Sequence, residues 1–202
     1  MWHLLVKNIK LILVWSFVFA ILSMVSSLFF PKQYSATSQV LIISRDKEGT
    51  DPYTQARSAE KIGANLAQIM KTTDFYNKVM SSPASFDKTP WSKLTDRGQR
   101  KKWNKDISAN MLYGVSLMNV KVFSYSQAEA AALSKAVSQT LVTQGWEYLG
   151  GDVAIKIVSE PLVSKWPVRP SVPLNGAVGF LVGFLIFSLW VIRYKKHNLF
   201  GG

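Results

Sequence analysis

The sequence contains no cysteine. That excludes a disulfide framework, a thiolate nucleophile and any cysteine-held metal. Histidine is nearly as scarce, and the two present, His3 and His197, both lie in the terminal tails. A Ser-His-Asp triad, a Cys-His pair and a histidine-ligated metal are therefore excluded for the long stretch between them. No phosphate-binding glycine loop occurs, because Gly176-x-x-Gly179 lies inside an apolar run. Acidic residues are missing from both ends: all 12 fall between Asp46 and Glu160. Asp46, Glu48 and Asp51 cluster in a predicted turn without the calcium-loop spacing, which reads as a solvated loop with a weak calcium site as the alternative. These gaps lead to the expectation of a protein that is not an enzyme, with no catalytic residue, no cofactor and no metal site.

Basic residues are where the acids are not. The first ten residues carry Lys7 and Lys10, and the last ten carry Arg193, Lys195 and Lys196. Five of the 24 basic residues sit in those tails, which leaves 19 against all 12 acids in the middle. A net charge of +12 would ordinarily suggest nucleic acid. Here the basic tails are short and each abuts a long apolar run, so no nucleic-acid partner is expected.

Those two runs are the strongest positive signal. Leu11 to Phe30 is twenty uncharged residues, and Leu174 to Ile192 is nineteen. At about 1.5 Å per residue the shorter run is about 28 Å long as a helix, close to the hydrocarbon thickness of a bilayer. A cleaved signal peptide is the competing reading of the first run, but its apolar region would be shorter and no small-x-small site closes this one. Trp2, Phe29, Phe30 and Tyr34 flank the first run, and Trp166, Trp190 and Tyr194 the second, as an interfacial aromatic belt requires. The expected layout is a cytoplasmic tail 1–10, a span 11–30, an outer domain 31–173, a second span 174–192 and a cytoplasmic tail 193–202. The positive-inside rule puts both tails in the cytoplasm and the middle outside it.

Pro167, Pro170 and Pro173 repeat every three residues, the period of a polyproline II helix. With Pro161 they predict a stiff stalk over 161–173 that enters the second span. Within that span Gly176, Gly179 and Gly183 predict close helix packing, because glycine lets two backbones approach in lipid. Ser16, Ala20, Ser23 and Ser27 fall three or four apart on the first run and form the natural opposing face.

The middle reads as an α+β domain. Residues 34–44 alternate and are rich in β-branched types, which predicts a first strand. Pro52 opens a helix to about Met70, with Ala56, Ala59, Ile62, Gly63, Leu66 and Ile69 on one face. A short helix follows over 73–80, a loop over 81–90, and a charged helix over 91–110 whose buried side is Trp91, Leu94, Trp103 and Ile107. Residues 116–125 alternate as a central strand. Ser126-x-x-Glu129 is a capping box for an alanine-rich helix that ends near Gly145 or Gly150-Gly151. Residues 153–159 alternate once more. The expected order is β-α-α-α-β-α-β between two transmembrane helices, with the first and last strands side by side. In the charged helix, Arg97, Arg100, Lys101, Lys102 and Lys105 are candidate contacts for a glycan or a lipid headgroup, against the simpler reading of a solvated helix face.

The arrangement as a whole resembles a known family. Its carriers are Pro31-x-x-Tyr34-x-Ala36 after a span, Val120-x-Val122 leading to Ala128 and an alanine-rich helix, and Pro161, Pro167, Pro170 and Pro173 before a glycine-rich span. These resemble the polysaccharide co-polymerases, the chain-length determinant (Wzz-type) proteins of bacterial surface glycan export. The resemblance implies a homo-oligomeric ring in the bacterial inner membrane that sets the length of O-antigen, capsule or exopolysaccharide beside a membrane polymerase. The middle is short, like that of compact members without a fused kinase. It also implies a possible cytoplasmic tyrosine kinase partner, for which the chain would be an adaptor or activator. A structural subunit of another envelope complex is a third reading.

Overall fold

The computed structural model describes residues 2–44, 52–149 and 153–200, with side chains placed for 5–44, 53–149 and 153–194. The expected acidic turn 46–51 and Gly150-Gly151 lie outside the described residues. Two compact units form, one from 1–32 with 168–202 and one from Gln33 to Pro167.

The first unit is helical. A short helix α1, Trp2–Lys7, precedes α2, Ile9–Leu28. The other half is one long helix, α8, Val172–Phe200. Ile9–Leu28 and Val172–Tyr194 are each long and apolar enough to cross a membrane. Helix α8 continues past Arg193, where the expected second tail begins, without a break.

The second unit is a four-stranded antiparallel sheet with helices packed on one face. Its strands are β1 (Tyr34–Ser44), β2 (Ile107–Leu112), β3 (Leu117–Ser124) and β4 (Val153–Val163), in the order β2-β3-β1-β4. The first and last strands of the chain are therefore neighbours, as expected, with Val40 opposite Ile157 and Ile42 opposite Ile155. On the other side of β1, Val40 faces Met118 and Ser38 faces Val120. Period-two alternation decides which residues turn inward. Val40, Ile42, Ala109, Met111, Met118, Val120 and Val122 form the covered face, and Gln39 and Asn119 on the other face share a hydrogen bond of 3.1 Å. A one-residue slip would exchange those two sets, so the burial of one face fixes the register.

The covering layer is α3 (Pro52–Ile69) and α7 (Gln127–Gln144). Leu66 and Ala59 from α3, with Leu133, Ala136, Val137 and Leu141 from α7, complete the core. Helix α3 comes unusually close at Gly63, where an added Cβ would stand 2.4 Å from Met111 Sδ and 2.8 Å from Ile42 Cδ1. Below this layer, α4 (Thr73–Ser81), α5 (Thr89–Ser92) and α6 (Asp96–Asp106) hold Phe75, Trp91 and Trp103, all buried. The Trp103 indole donates to the Met70 carbonyl at 2.8 Å and meets the Tyr76 ring edge-on at 5.1 Å.

Three local expectations are corrected. The helix expected over 91–110 is two helices and the start of a strand, because Ile107-x-Ala109-x-Met111 alternates and pairs with β3. Six residues at that junction follow period two, too few to compete by sequence alone with the charged helical run before them. The capping box does not close: Ser126 is the N-cap of α7 but makes no side-chain cap bond, and Glu129 accepts instead from the Asp87 backbone N–H at 2.9 Å. The proline segment is no continuous rod. Strand β4 extends through Pro161 to Val163, at the sheet edge where a missing N–H is tolerated. Pro173 is the second residue of α8, a first-turn position where its fixed φ and absent donor cost nothing. Only 164–171 remain as a connection, with Pro167 and Pro170 in it.

Candidate functional site

Two assemblies of side chains stand out, one in each unit. In the helical unit α2 and α8 pack along their length, and small residues set how closely. A Cβ on Gly176 would meet Met24 Cε at 2.2 Å, one on Gly179 would meet Ser23 Cβ at 2.6 Å, and one on Gly183 would meet Phe19 Cβ at 2.8 Å and Ser16 Cα at 3.0 Å. The structure thus brings the three sequence-predicted glycines against the small-residue stripe of the first helix, in which Ser16, Ala20 and Ser27 are buried. Association of helices in lipid rests on such close packing and on interhelical hydrogen bonds. Asn175 supplies the latter. Its side-chain amide donates to Ser27 Oγ at 2.9 Å, and its backbone carbonyl accepts from Ser23 Oγ at 2.8 Å. Ser16 satisfies its own hydroxyl on the Ile12 carbonyl one turn back, at 2.7 Å. Aromatic contacts extend the seam: Trp15 stacks on Phe187 at 4.9 Å and Phe17 meets Phe180 edge-on at 5.3 Å. Asn175 is a residue that sequence reasoning missed. A polar amide immediately before the first glycine of an apolar run was the available signal.

In the sheet unit the charged helix α6 divides its cations. Gly98, Lys101, Lys102 and Lys105 recur at three- and four-residue spacing and line one pocket of about 260 Å³. Arg97 and Arg100 are exposed and do not line it. Asp106, Gln33 and Tyr125 complete the wall. Lys102 pairs with buried Asp106 at 2.7 Å, and its ammonium lies 5.2 Å from the Trp91 ring centre and 5.4 Å from that of Tyr125. Burying a carboxylate is costly unless it is paired, so Asp106 fixes Lys102 and with it the lip of the pocket. Gln33 and Tyr125 were invisible to periodicity, since they reach the pocket from the starts of β1 and α7, far away in the chain.

The prolines do not converge on either assembly; Pro161 instead borders a groove of about 240 Å³ with Lys135, Ser138, Gln139 and Glu160. Among the described residues no group of three or more His, Asp or Glu side chains could hold a metal ion.

A mixed α/β domain inserted between two apolar helices, each long and apolar enough to span a bilayer, fits a two-pass protein of the bacterial inner membrane. The N-terminal part carries a likeness to one family. Residues 1–83 match the family model described as Wzz, chain length determinant protein. The match runs from α1 through α4 and includes the first span and β1. It bears out the resemblance drawn from the sequence and ties the chain to polysaccharide chain-length determination. No curated protein matches the sequence.

Proposed function

We propose that this protein is a non-enzymatic regulator of surface-polysaccharide chain length, acting as an oligomeric co-polymerase beside a membrane polymerase. The observation that carries the reading is the chain-length-determinant match over 1–83, which spans the first apolar helix and the first strand and helices of the sheet unit. The two-span organisation supports it, because the glycine-lined α2–α8 pair supplies an anchor and a lateral helix surface within lipid. Both tails then lie in the cytoplasm and the α+β domain outside it, following the basic, acid-free ends. The same chain makes contacts with copies of itself and with the polymerase, and needs no cofactor for either.

The test is the size distribution of surface polysaccharide, resolved by gel, in a strain lacking the gene and in one with it restored. The modal length is expected to collapse on deletion and to return on complementation. A distribution unchanged by deletion would overturn the reading. Cross-linking of the full chain in membranes tests the oligomer separately, and a species confined to monomer would remove that part of the proposal.

A further inference from the structure

We propose that the cavity between α5, the end of β3 and the start of α7 binds one uncharged sugar ring, presented as a residue of a glycan. The cavity measures about 220 Å³. Pockets for drug-sized ligands run to about 300–1,000 Å³, so this one suits a single ring.

The observation that carries the proposal is the Trp91 indole. Trp91 is 4 % exposed and lines the cavity, yet its N–H meets no hydrogen-bond acceptor among the described residues. The neighbouring Trp103, with ring centres 6.4 Å apart, donates its own N–H to the Met70 carbonyl. A buried indole N–H ordinarily finds such a partner, because an unmade bond leaves the donor stripped of water. Ser188 Oγ, in α8, is the other buried side-chain atom without a partner among the described residues. An oxygen of a ligand held beside Trp91 would complete the missing bond.

The remaining walls select the kind of oxygen. Asp87 and Glu129 line the cavity, and no lysine or arginine does. Two carboxylates repel a phosphate or a carboxylate ligand, and an N–H donor opposes a bare cation. Both carboxylates keep an oxygen for a ligand donor. Asp87 takes the Thr89 N–H and hydroxyl on Oδ1, and Glu129 takes the Asp87 N–H on Oε2. The bonds from Thr89 also hold the Asp87 carboxyl below its usual range, which keeps it an ionised acceptor. The Ser126 hydroxyl, on the same wall, makes no cap bond to α7. Tyr125 is 52 % exposed and offers an aromatic surface at the rim. A sugar ring matches this set. Its hydroxyls donate and accept around the edge, and its C–H face packs against an aromatic ring whose own face is electron-rich. That the ring belongs to the surface polysaccharide rests on the co-polymerase reading; that the cavity takes a sugar does not.

The test uses the full-length chain, labelled with nitrogen-15 at its indoles, in a detergent without a sugar headgroup. The Trp91 signal is identified as the one lost in Trp91→Phe. Methyl glycosides of glucose, galactose, mannose and N-acetylglucosamine are titrated first, then short oligosaccharides cut from the host strain's own surface polysaccharide. At least one of them should move the Trp91 N–H signal downfield to saturation, as a new N–H···O bond requires. Asp87→Asn should weaken that binding about tenfold, as a lost bond to a charged group, and Tyr125→Ala about fivefold, as lost ring contact. Tyr113→Ala, equally exposed but between β2 and β3 and outside the cavity, should leave it unchanged. Asp87 and Tyr125 are exposed, so those variants keep the fold. Where Trp91→Phe does not fold, the same ranking is read by saturation transfer to the sugar.

A Trp91 signal that no probe moves would overturn the inference, as would a loss in Tyr113→Ala equal to that in Tyr125→Ala. Binding of a methyl glycoside without binding of the host oligosaccharides supports the sugar site and removes the polymer as its ligand. Absence of all sugar binding in a protein whose deletion still shifts the modal polymer length overturns the sugar site and leaves the co-polymerase reading standing.

Discussion

Gly179 lies directly against Ser23: a Cβ at position 179 would stand 2.6 Å from the Ser23 Cβ and 2.8 Å from the Phe19 carbonyl oxygen. The carbonyl cannot move without disturbing α2. At Gly176 the nearest atoms all belong to Met24, a flexible side chain that can yield. Gly179→Ala should therefore destabilise more than Gly176→Ala, by about 1–3 kcal/mol for the former as an overpacked contact. Thermal unfolding of the full chain in detergent reads the difference. An equal effect at the two positions would mean that the helices re-space freely.

A buried trio of hydroxyls links β1 to α7. Ser38 and Ser138 share a hydrogen bond of 2.6 Å, and Ser134 donates to Ser38 at 3.4 Å, with all three side chains buried. Removing one partner strands the others, whereas removing all leaves nothing unpaired. Ser38→Ala is expected to cost about 1–3 kcal/mol. The triple change Ser38→Ala, Ser134→Ala, Ser138→Ala should cost less than its three single changes summed. Chemical denaturation of the four variants checks this, and simple additivity would count against a coupled cluster.

Trp103 is 1 % exposed and its indole N–H is bonded to the Met70 carbonyl, the residue after the end of α3. Trp103→Phe keeps most of the volume but orphans a buried carbonyl, a loss of about 1–3 kcal/mol. Trp103→Ala adds a cavity and should cost about 3–5 kcal/mol. The order Phe before Ala, read by urea midpoint, distinguishes the hydrogen bond from packing.

Tyr148 closes the short 3-10 turn Gly145–Tyr148 after α7 and donates its hydroxyl to Asp74 of α4. Burial, helped by that bond, pushes its pKa from the ordinary 10.0 up to about 12. The folded state then holds the phenolic proton more tightly than the unfolded chain. The stability this adds is complete below about pH 10 and is lost as pH rises through about 12. Tyr148→Phe should flatten the fall in melting temperature between those values. The phenolate absorbance of the wild type minus that of the variant should show a midpoint above that of ordinary tyrosines. A difference midpoint near 10 would remove the Asp74 contact from the account.

Much of this protein was legible in its sequence, and the reason is periodicity. Two uncharged runs of about bilayer length, alternation over 34–44 and 116–125, and the three- and four-residue spacing through Ala59, Gly63 and Leu66 each report a local geometry, since solvent and core select for it residue by residue. The glycine stripe at 176, 179 and 183 likewise announced a close helix contact. Tertiary structure decided what no local pattern can encode. It turned Ile107–Leu112 into an edge strand, because β3 offered free backbone groups where α6 ended. It drew Pro161 into β4 and Pro173 into α8, since pairing with β1 and helix initiation outweigh a threefold proline spacing. It drew Glu129 away from its own helix cap to the backbone of Asp87. It also gathered Gln33, Lys101 and Tyr125 into one pocket. Residues so far apart in the chain become neighbours only when a buried sheet face fixes strand order and register, and that choice minimises exposed apolar area over the whole domain.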